Sequence, residues 1–198
     1  NVYFANSGFY TRTQGYLNPQ FEKITEESSE TGLKVYILEG TSGGLNFSRK
    51  IEIENTGYSL KIEDTVNSVL GEDISMTPYV VIERDGSPVE EGGLMYTYLG
   101  PVFSSTKDTY EKYDFDDIRE SSYQNKSLGG WVALIQHYFL SAWIPDQNEE
   151  YLYQGRYGEN SGRYSLGYTS RDSILSYGET VSTKNTLCLL YTSPSPRD

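Results

Sequence analysis

One cysteine, one histidine, two tryptophans and two methionines are all that 198 residues hold of these types. A single imidazole excludes a metal site built on several histidines. A single thiol excludes an internal disulfide and a centre built on several thiolates. Basic residues are scarce as well: 16 Lys and Arg stand against 28 Asp and Glu, a formal charge of −12. That balance argues against non-specific nucleic-acid binding and against docking on anionic lipid. No apolar run reaches the ~18 residues of a membrane-spanning helix. Neither an initiator Met nor a signal-peptide pattern opens the chain, which reads as an internal fragment. Leu, Ile, Val and Phe supply only about 23% of it, just above the composition of a disordered chain. What is abundant is tyrosine, at 19 residues, and glycine, also at 19. Tyrosine adds large buried area with a polar tip, so a Tyr- and Gly-rich globular segment of one domain, or part of one, fits the composition.

The C-terminus stands apart. Cys188 to Asp198 reads CLLYTSPSPRD, with two Ser-Pro steps and the only cysteine. One reading frame of a transposase sequencing adapter encodes this string, so 188–198 reads as an assembly scar and 1–187 as the protein segment. A natural Ser- and Pro-rich terminus is the alternative. Without the tail no cysteine remains, and cysteine usage then says nothing of the redox compartment.

The strongest local pattern lies at 45–67. Leu45, Phe47, Ile51 and Ile53 are apolar at odd positions, with Arg49 the exception, while the even positions 46–54 are all polar. Asn55-Thr56-Gly57 offers a turn. Beyond it Tyr58, Leu60, Ile62 and Val66 share one face, with Asp64 the exception, and Ser59, Lys61, Glu63, Thr65 and Asn67 share the other. Side chains alternate across a strand, so this is a long amphipathic hairpin with one wet face. Shorter runs at 33–38, 77–83, 94–99, 151–154, 164–169 and 173–177 also read as strands, separated by Gly, Asp, Asn, Ser or Pro clusters. Many strands with regular turns indicate an antiparallel sandwich or barrel. Residues 20–31 are acidic and poor in apolar side chains, and read as a loop with room for one short helical turn.

Gly129 to Pro145, GGWVALIQHYFLSAWIP, carries both tryptophans and the only histidine. Its aromatic and β-branched content predicts two buried strands, 131–136 and 138–144, with a bend between; a buried helix is the alternative. A continuous apolar run flanked by Gly-Gly and Pro marks the centre of a core.

This run, preceded by YEKYDFDDI (110–118) and followed by NTL (185–187), resembles the large periplasmic domain of YidC-type membrane-protein insertases. Leu45 to Arg49, Tyr58 to Ser68, Pro78-Tyr79 and Arg84-Asp85-Gly86 fall in the family's order. The resemblance spans about residue 44 to residue 187. It implies an all-β, antiparallel supersandwich similar to galactose mutarotase, incomplete here, with at most short helical turns. It also implies a location in the inner membrane of a Gram-negative bacterium, this segment facing the periplasm. The implied partners are the Sec translocon with its accessory complex, and nascent membrane proteins reached through the parent protein. Nucleic acid is not among them, and membrane attachment lies in flanking helices outside this segment. The insertion groove belongs to those helices, so no residue here is assigned that role, and no catalytic residue, metal or cofactor is implied.

The residues themselves offer a few candidates. His137 could act as a general base, but it has no second histidine to build a two-His site, and a core or edge histidine is the plainer reading. Trp131, Trp143, Tyr138 and Phe139 could form a sugar-stacking platform; core packing is the plainer reading. Glu111, Asp114, Asp116 and Asp117 form an acidic cluster within one apparent strand, which places Asp114 and Asp116 on one face. Carboxylates so placed could hold calcium or work as an acid–base pair, although the glycine turn and closing Glu of a calcium loop are missing. Asn125-Lys126-Ser127 fits a glycosylation acceptor, which carries little meaning in a bacterial setting. Gly92-Gly93 and Gly129-Gly130 lead into strands rather than helices, so neither cradles a phosphate. The expectation is a scaffold and partner-contact domain that is not an enzyme. Its rivals are a carbohydrate-binding or aldose-epimerase-like β-sandwich and a piece of an outer-membrane barrel.

Overall fold

The computed structural model describes residues 3–28, 32–54, 57–86, 98–136 and 139–191. These hold sixteen strands and one short helix. In chain order the strands are β1 (Tyr3–Thr11), β2 (Gly15–Tyr16), β3 (Gln20–Ser28), β4 (Lys34–Ser42), β5 (Leu45–Ile53) and β6 (Ser59–Ser68). There follow β7 (Ile74–Asp85), β8 (Leu99–Ser104), β9 (Glu111–Lys112), helix α1 (Phe115–Glu120), β10 (Tyr123–Leu128), β11 (Trp131–Gln136) and β12 (Phe139–Ile144). The last are β13 (Glu150–Gly158), β14 (Arg163–Thr169), β15 (Ser173–Leu175) and β16 (Thr180–Tyr191). They form two antiparallel sheets, one of seven strands and one of nine.

The chain divides into two compact units, and strands β1, β7, β14 and β16 each contribute residues to both. The hairpin unit takes the described residues of Ser7–Tyr79 and Thr169–Leu187. Its larger layer runs β3-β4-β5-β6-β16 and its smaller one β2-β1-β7, with β15 also on β7. The alternation read at 45–67 is the β5–β6 ladder, in which Phe47 faces Val66, Ile51 faces Ile62 and Ile53 faces Leu60. The apolar face meets Phe9, Leu17, Met76 and Leu175 in one core, with Leu45, Phe47 and Val66 contributed by the hairpin. Tyr58 lies just before β6 and is exposed, so it does not share that face. The expected turn residues Asn55 and Thr56 lie outside the described residues.

Residues 20–28 are a strand, not the expected loop. The apolar signature is missing because β3 pairs only with β4 and leaves Ile24 two-thirds exposed. Its charged residues suit an edge that must not pair by accident. A register shift between Phe21 and Lys23 adds an irregularity of the kind that bends and twists an edge away.

The core unit takes the described residues of Asn1–Asn6, Val80–Tyr168 and Cys188–Asp198. One layer runs β16-β12-β11-β8-β9, the other β10-β13-β14-β7-β1. The two-tryptophan run is β11 and β12, two strands rather than a helix, paired antiparallel with Val132 opposite Trp143 and Ile135 opposite Leu140. Ala133 and Leu134 are both buried, so β11 is covered on both faces, as its unbroken apolar sequence requires. Gly129 and Gly130 hold φ of 59° and 95°. A Cβ on Gly130 would lie 2.3 Å from the Ser104 carbonyl oxygen, so only glycine fits this entry into the strand. Gly155 has a related role: a Cβ there would meet Phe103 at 2.9 Å and Ile118 at 3.3 Å, and its absence lets both side chains seat against β13.

The expected strand through Asp114–Asp117 is instead the start of a helix. Asp114 is the N-cap, and its backbone N–H donates to Asp117 Oδ2 at 2.9 Å in a capping box. An Asp three residues before a second acid is helix-start chemistry, which competes with strand alternation and here prevails. Ile118 is buried on the inner face, and Arg84 and Arg119 lie 4.7 Å over the Phe115 and Tyr157 rings. The run expected at 94–99 falls mostly outside the described residues, and β8 begins only at Leu99. Strand β16 continues through Cys188 to Tyr191.

Candidate functional site

The chemistry-bearing residues of the core unit gather where β8, β9, α1 and β10 meet. Phe103, buried on β8, stacks on Tyr123 of β10 with centroids 3.9 Å apart and rings 17° from parallel. Tyr113, just after β9, meets both rings edge-on at 6.0 and 5.1 Å. Glu111 accepts hydrogen bonds from both tyrosines, from the Tyr113 hydroxyl and from the Tyr123 hydroxyl at 3.3 Å. Burial first, and then the neighbouring Glu111 carboxylate, pushes the Tyr123 hydroxyl up to about 12. Burial and the bond to Glu111 raise Tyr113 as well. Both hydroxyls therefore remain neutral donors through the physiological range. Above them opens a hollow of about 710 Å³. Asp108, Glu111, Asp117 and Glu120 line it, against Lys107 and Lys112. The Lys112 ammonium sits over the Tyr98 and Tyr110 rings at 4.5 and 5.3 Å, and Tyr110 in turn meets Trp131 at 6.0 Å. Acceptor oxygens, aromatic rings and four carboxylates against two lysines thus meet at one place.

The structure separates most of the candidates that the sequence suggested. His137 and Tyr138 lie outside the described residues. The two tryptophans do not form one platform. Trp143 pairs across from Val132, so it shares that residue's face, while Trp131 points the other way. Trp143 is 1% exposed and donates from Nε1 to the Val81 carbonyl at 3.1 Å, a core anchor. Phe139 is exposed and its ring lies 5.0 Å from that of Tyr191. Of the acidic cluster, Glu111 and Asp117 reach the hollow and Asp114 caps the helix. No group of three His, Cys, Asp or Glu is placed to hold a metal ion among the described residues. The Asn125-Lys126-Ser127 triplet lies on β10, where buried Ser127 accepts a hydrogen bond from the Thr106 N–H at 3.0 Å.

A second polar centre sits inside the hairpin unit. Arg49 and Asp64, the two breaks in the alternation of 45–67, are direct cross-strand partners. Arg49 Nε donates to Asp64 Oδ1 at 2.6 Å, and Nη2 donates to the Ser7 carbonyl at 2.6 Å. The Ser7 hydroxyl donates to Asp64 Oδ2. The side chains are 20% and 6% exposed, so this is a buried pair closed by a third group. The cavity beside it, about 20 Å³, has room for little more than one water molecule. It is therefore a structural lock. The sequence marks both residues as exceptions, and the β5–β6 register shows that they face each other.

These sheets define a class: an antiparallel β-sandwich domain with a polar, aromatic-walled hollow at one edge. Solved structures of GH36 α-galactosidases share the fold. AgaA from Geobacillus stearothermophilus superposes with a TM-score of 0.66 at 7% identity, covering 96% of this chain and 30% of that one. The α-galactosidase from Lactobacillus brevis gives 0.59 at 8% identity, covering 97% and 27%. At such identities the likeness is one of fold alone.

The sequence relationship is closer and specific. The model of the YidC periplasmic domain matches residues 1–194, and the chain belongs to that family. Relatives named membrane protein insertase YidC include one from Nitrosococcus oceani, 31% identical over 160 residues, covering 80% of this chain and 28% of that protein. One from Histophilus somni is 31% identical over 211 aligned positions, covering 100% and 37%. The chain thus spans well under half the length of these relatives.

Proposed function

We propose that this chain is the periplasmic domain of an inner-membrane insertase of a Gram-negative bacterium. It serves there as a scaffold and partner-contact module, and the parent protein aids insertion and folding of inner-membrane proteins with or without the Sec translocon. The observation that carries this reading is the family match across nearly the whole chain to relatives named as insertases. The partners in this reading are the Sec translocon with its accessory complex, and nascent membrane proteins through the parent. No helix among its described residues is long and apolar enough to cross a bilayer; in this reading, membrane attachment belongs to other segments of the parent protein. The domain works by surface recognition and is not an enzyme. Its modest hollow and exposed tyrosines are suited to a wet, polar interface. Residues 188–198 are proposed to be an adapter-derived tail, which resequencing across the 187/188 junction tests.

Photo-crosslinkers placed at exposed Tyr110 and Gln124 of the parent insertase in inner-membrane vesicles test the contact role. Adducts to Sec accessory proteins are expected. Adducts to lipid alone, or none, would overturn it. A mutarotation assay addresses the epimerase-like reading: turnover that disappears in His137→Ala would replace this proposal with an enzymatic one.

A further inference from the structure

Strand β10 ends the seven-stranded sheet. It pairs with β13 along all six of its residues, Tyr123 opposite Gly155 through Leu128 opposite Glu150. Its other edge carries no partner strand among the described residues. An edge strand turns every second N–H and C=O outward, which makes it a template for an added strand. Of the four strands that end the two sheets, β2 and β9 are only two residues long, and the two long ones, β3 and β10, differ in their defences. Strand β3 carries charged side chains and a register shift, whereas the first half of β10, Tyr123-Gln124-Asn125, carries no charge. That half of β10 lines the acidic hollow, with α1 at one end and the loop held by the bond from Thr106 to Ser127 at the other.

We propose that this edge and hollow take a short extended segment of a partner protein, basic at alternate positions. The segment adds to β10 through backbone hydrogen bonds at 123–125. Its Lys or Arg side chains lie among Asp108, Glu111, Asp117 and Glu120. Main-chain pairing supplies affinity and alternate side chains supply selectivity, the mode by which peptides extend a sheet. The excess of carboxylates over lysines on the lining selects a cationic segment and speeds encounter. This inference rests on the partner-contact reading and adds the chemistry of the partner.

The test uses the full chain and the peptide acetyl-Arg-Val-Arg-Val-Arg-amide, followed by fluorescence anisotropy and by backbone amide shifts. Saturable binding is expected, with shifts confined to 105–125 and with affinity falling as salt rises. The paired change Asp108→Asn and Glu120→Gln keeps the side-chain shapes and should weaken binding at least about tenfold while leaving the melting temperature in place. A peptide with N-methyl groups on alternate backbone nitrogens keeps its charge, and it should bind at least about tenfold more weakly. No binding to the parent chain, equal binding to the paired variant, or equal binding of the N-methylated peptide would each overturn the proposal. The assay needs only this chain, whereas the crosslinking needs the parent in its membrane. Failure of the peptide therefore leaves the insertase reading standing, and failure of the crosslinks leaves the site standing.

Discussion

Arg49→Leu is the most informative single change in the hairpin unit. It removes the guanidinium that meets Asp64 at 2.6 Å and the Ser7 carbonyl at 2.6 Å, and it leaves a carboxylate 6% exposed that keeps the Ser7 hydroxyl as its one hydrogen-bond donor among the described residues. Breaking a buried pair in this way costs about 3–5 kcal/mol, because the remaining charge has lost both its water and its partner. For a chain of this length each kcal/mol moves the midpoint by about 2–4 °C, so a fall of about 6–20 °C is expected. Asp64→Asn should cost less, since the amide still accepts a bond and the exposed fifth of Arg49 can be hydrated. The double change Arg49→Leu with Asp64→Leu removes both charges. It should return to within about 1–2 kcal/mol of the parent, the residue reflecting the lost acceptor of Ser7. Circular dichroism melts and urea titrations of the four proteins give the cycle. A single Arg49→Leu variant within about 1 kcal/mol of the parent would mean the pair behaves as a surface pair. A double variant as unstable as the single would mean that packing, not charge, holds the site.

Other outcomes follow from the same geometry. Gly130→Ala should destabilise by at least about 2 kcal/mol in a chemical melt, because φ is 95° and the new methyl group meets the Ser104 carbonyl oxygen at 2.3 Å; an unchanged midpoint would contradict this. Trp143→Phe should cost about 2–4 kcal/mol, from lost volume and from the bond to the Val81 carbonyl. Absorbance at 295 nm should show a class of tyrosines titrating far above the ordinary value, since burial lifts Tyr123 and Tyr151 to about 12. These groups favour the folded state while neutral, so their contribution is complete below about pH 10 and is lost as pH rises towards 12. A single step near pH 10 in a chain that is still folded would refute the assignment.

Sequence periodicity found the parts of the fold in which one face is dry and the other wet. The hairpin 45–67 is of that kind, and its faces follow from apolar spacing; the strand pair 131–144 is legible for a different reason, an unbroken apolar run that only strands buried on both faces accommodate. Strands β1, β3, β8, β10 and β16 carry no such pattern. In β1 the aromatics Tyr3, Phe4 and Tyr10 are exposed while Ser7 and Thr11 are buried, β3 is wetted on both faces, and β10 hides a buried serine rather than an apolar side chain. Helix α1 was missed because strand-like alternation in Tyr113–Asp117 masked the Asp114 cap. The hollow was half legible. Glu111 and Asp117 belonged to the suspected cluster, but Asp108, Glu120 and the Tyr113–Tyr123 pair join it only through the turn of α1 and the fold of β10 beside β9. Such long-range convergence leaves no local pattern to read.

In the proposed function, this domain belongs to a protein held in a bilayer by segments on either side. Reading the coding DNA that flanks it measures this most directly. An apolar span of about 20 residues upstream and several such spans downstream are expected. Flanking sequence without any bilayer-crossing helix, or with a glycosidase catalytic domain in its place, would contradict it.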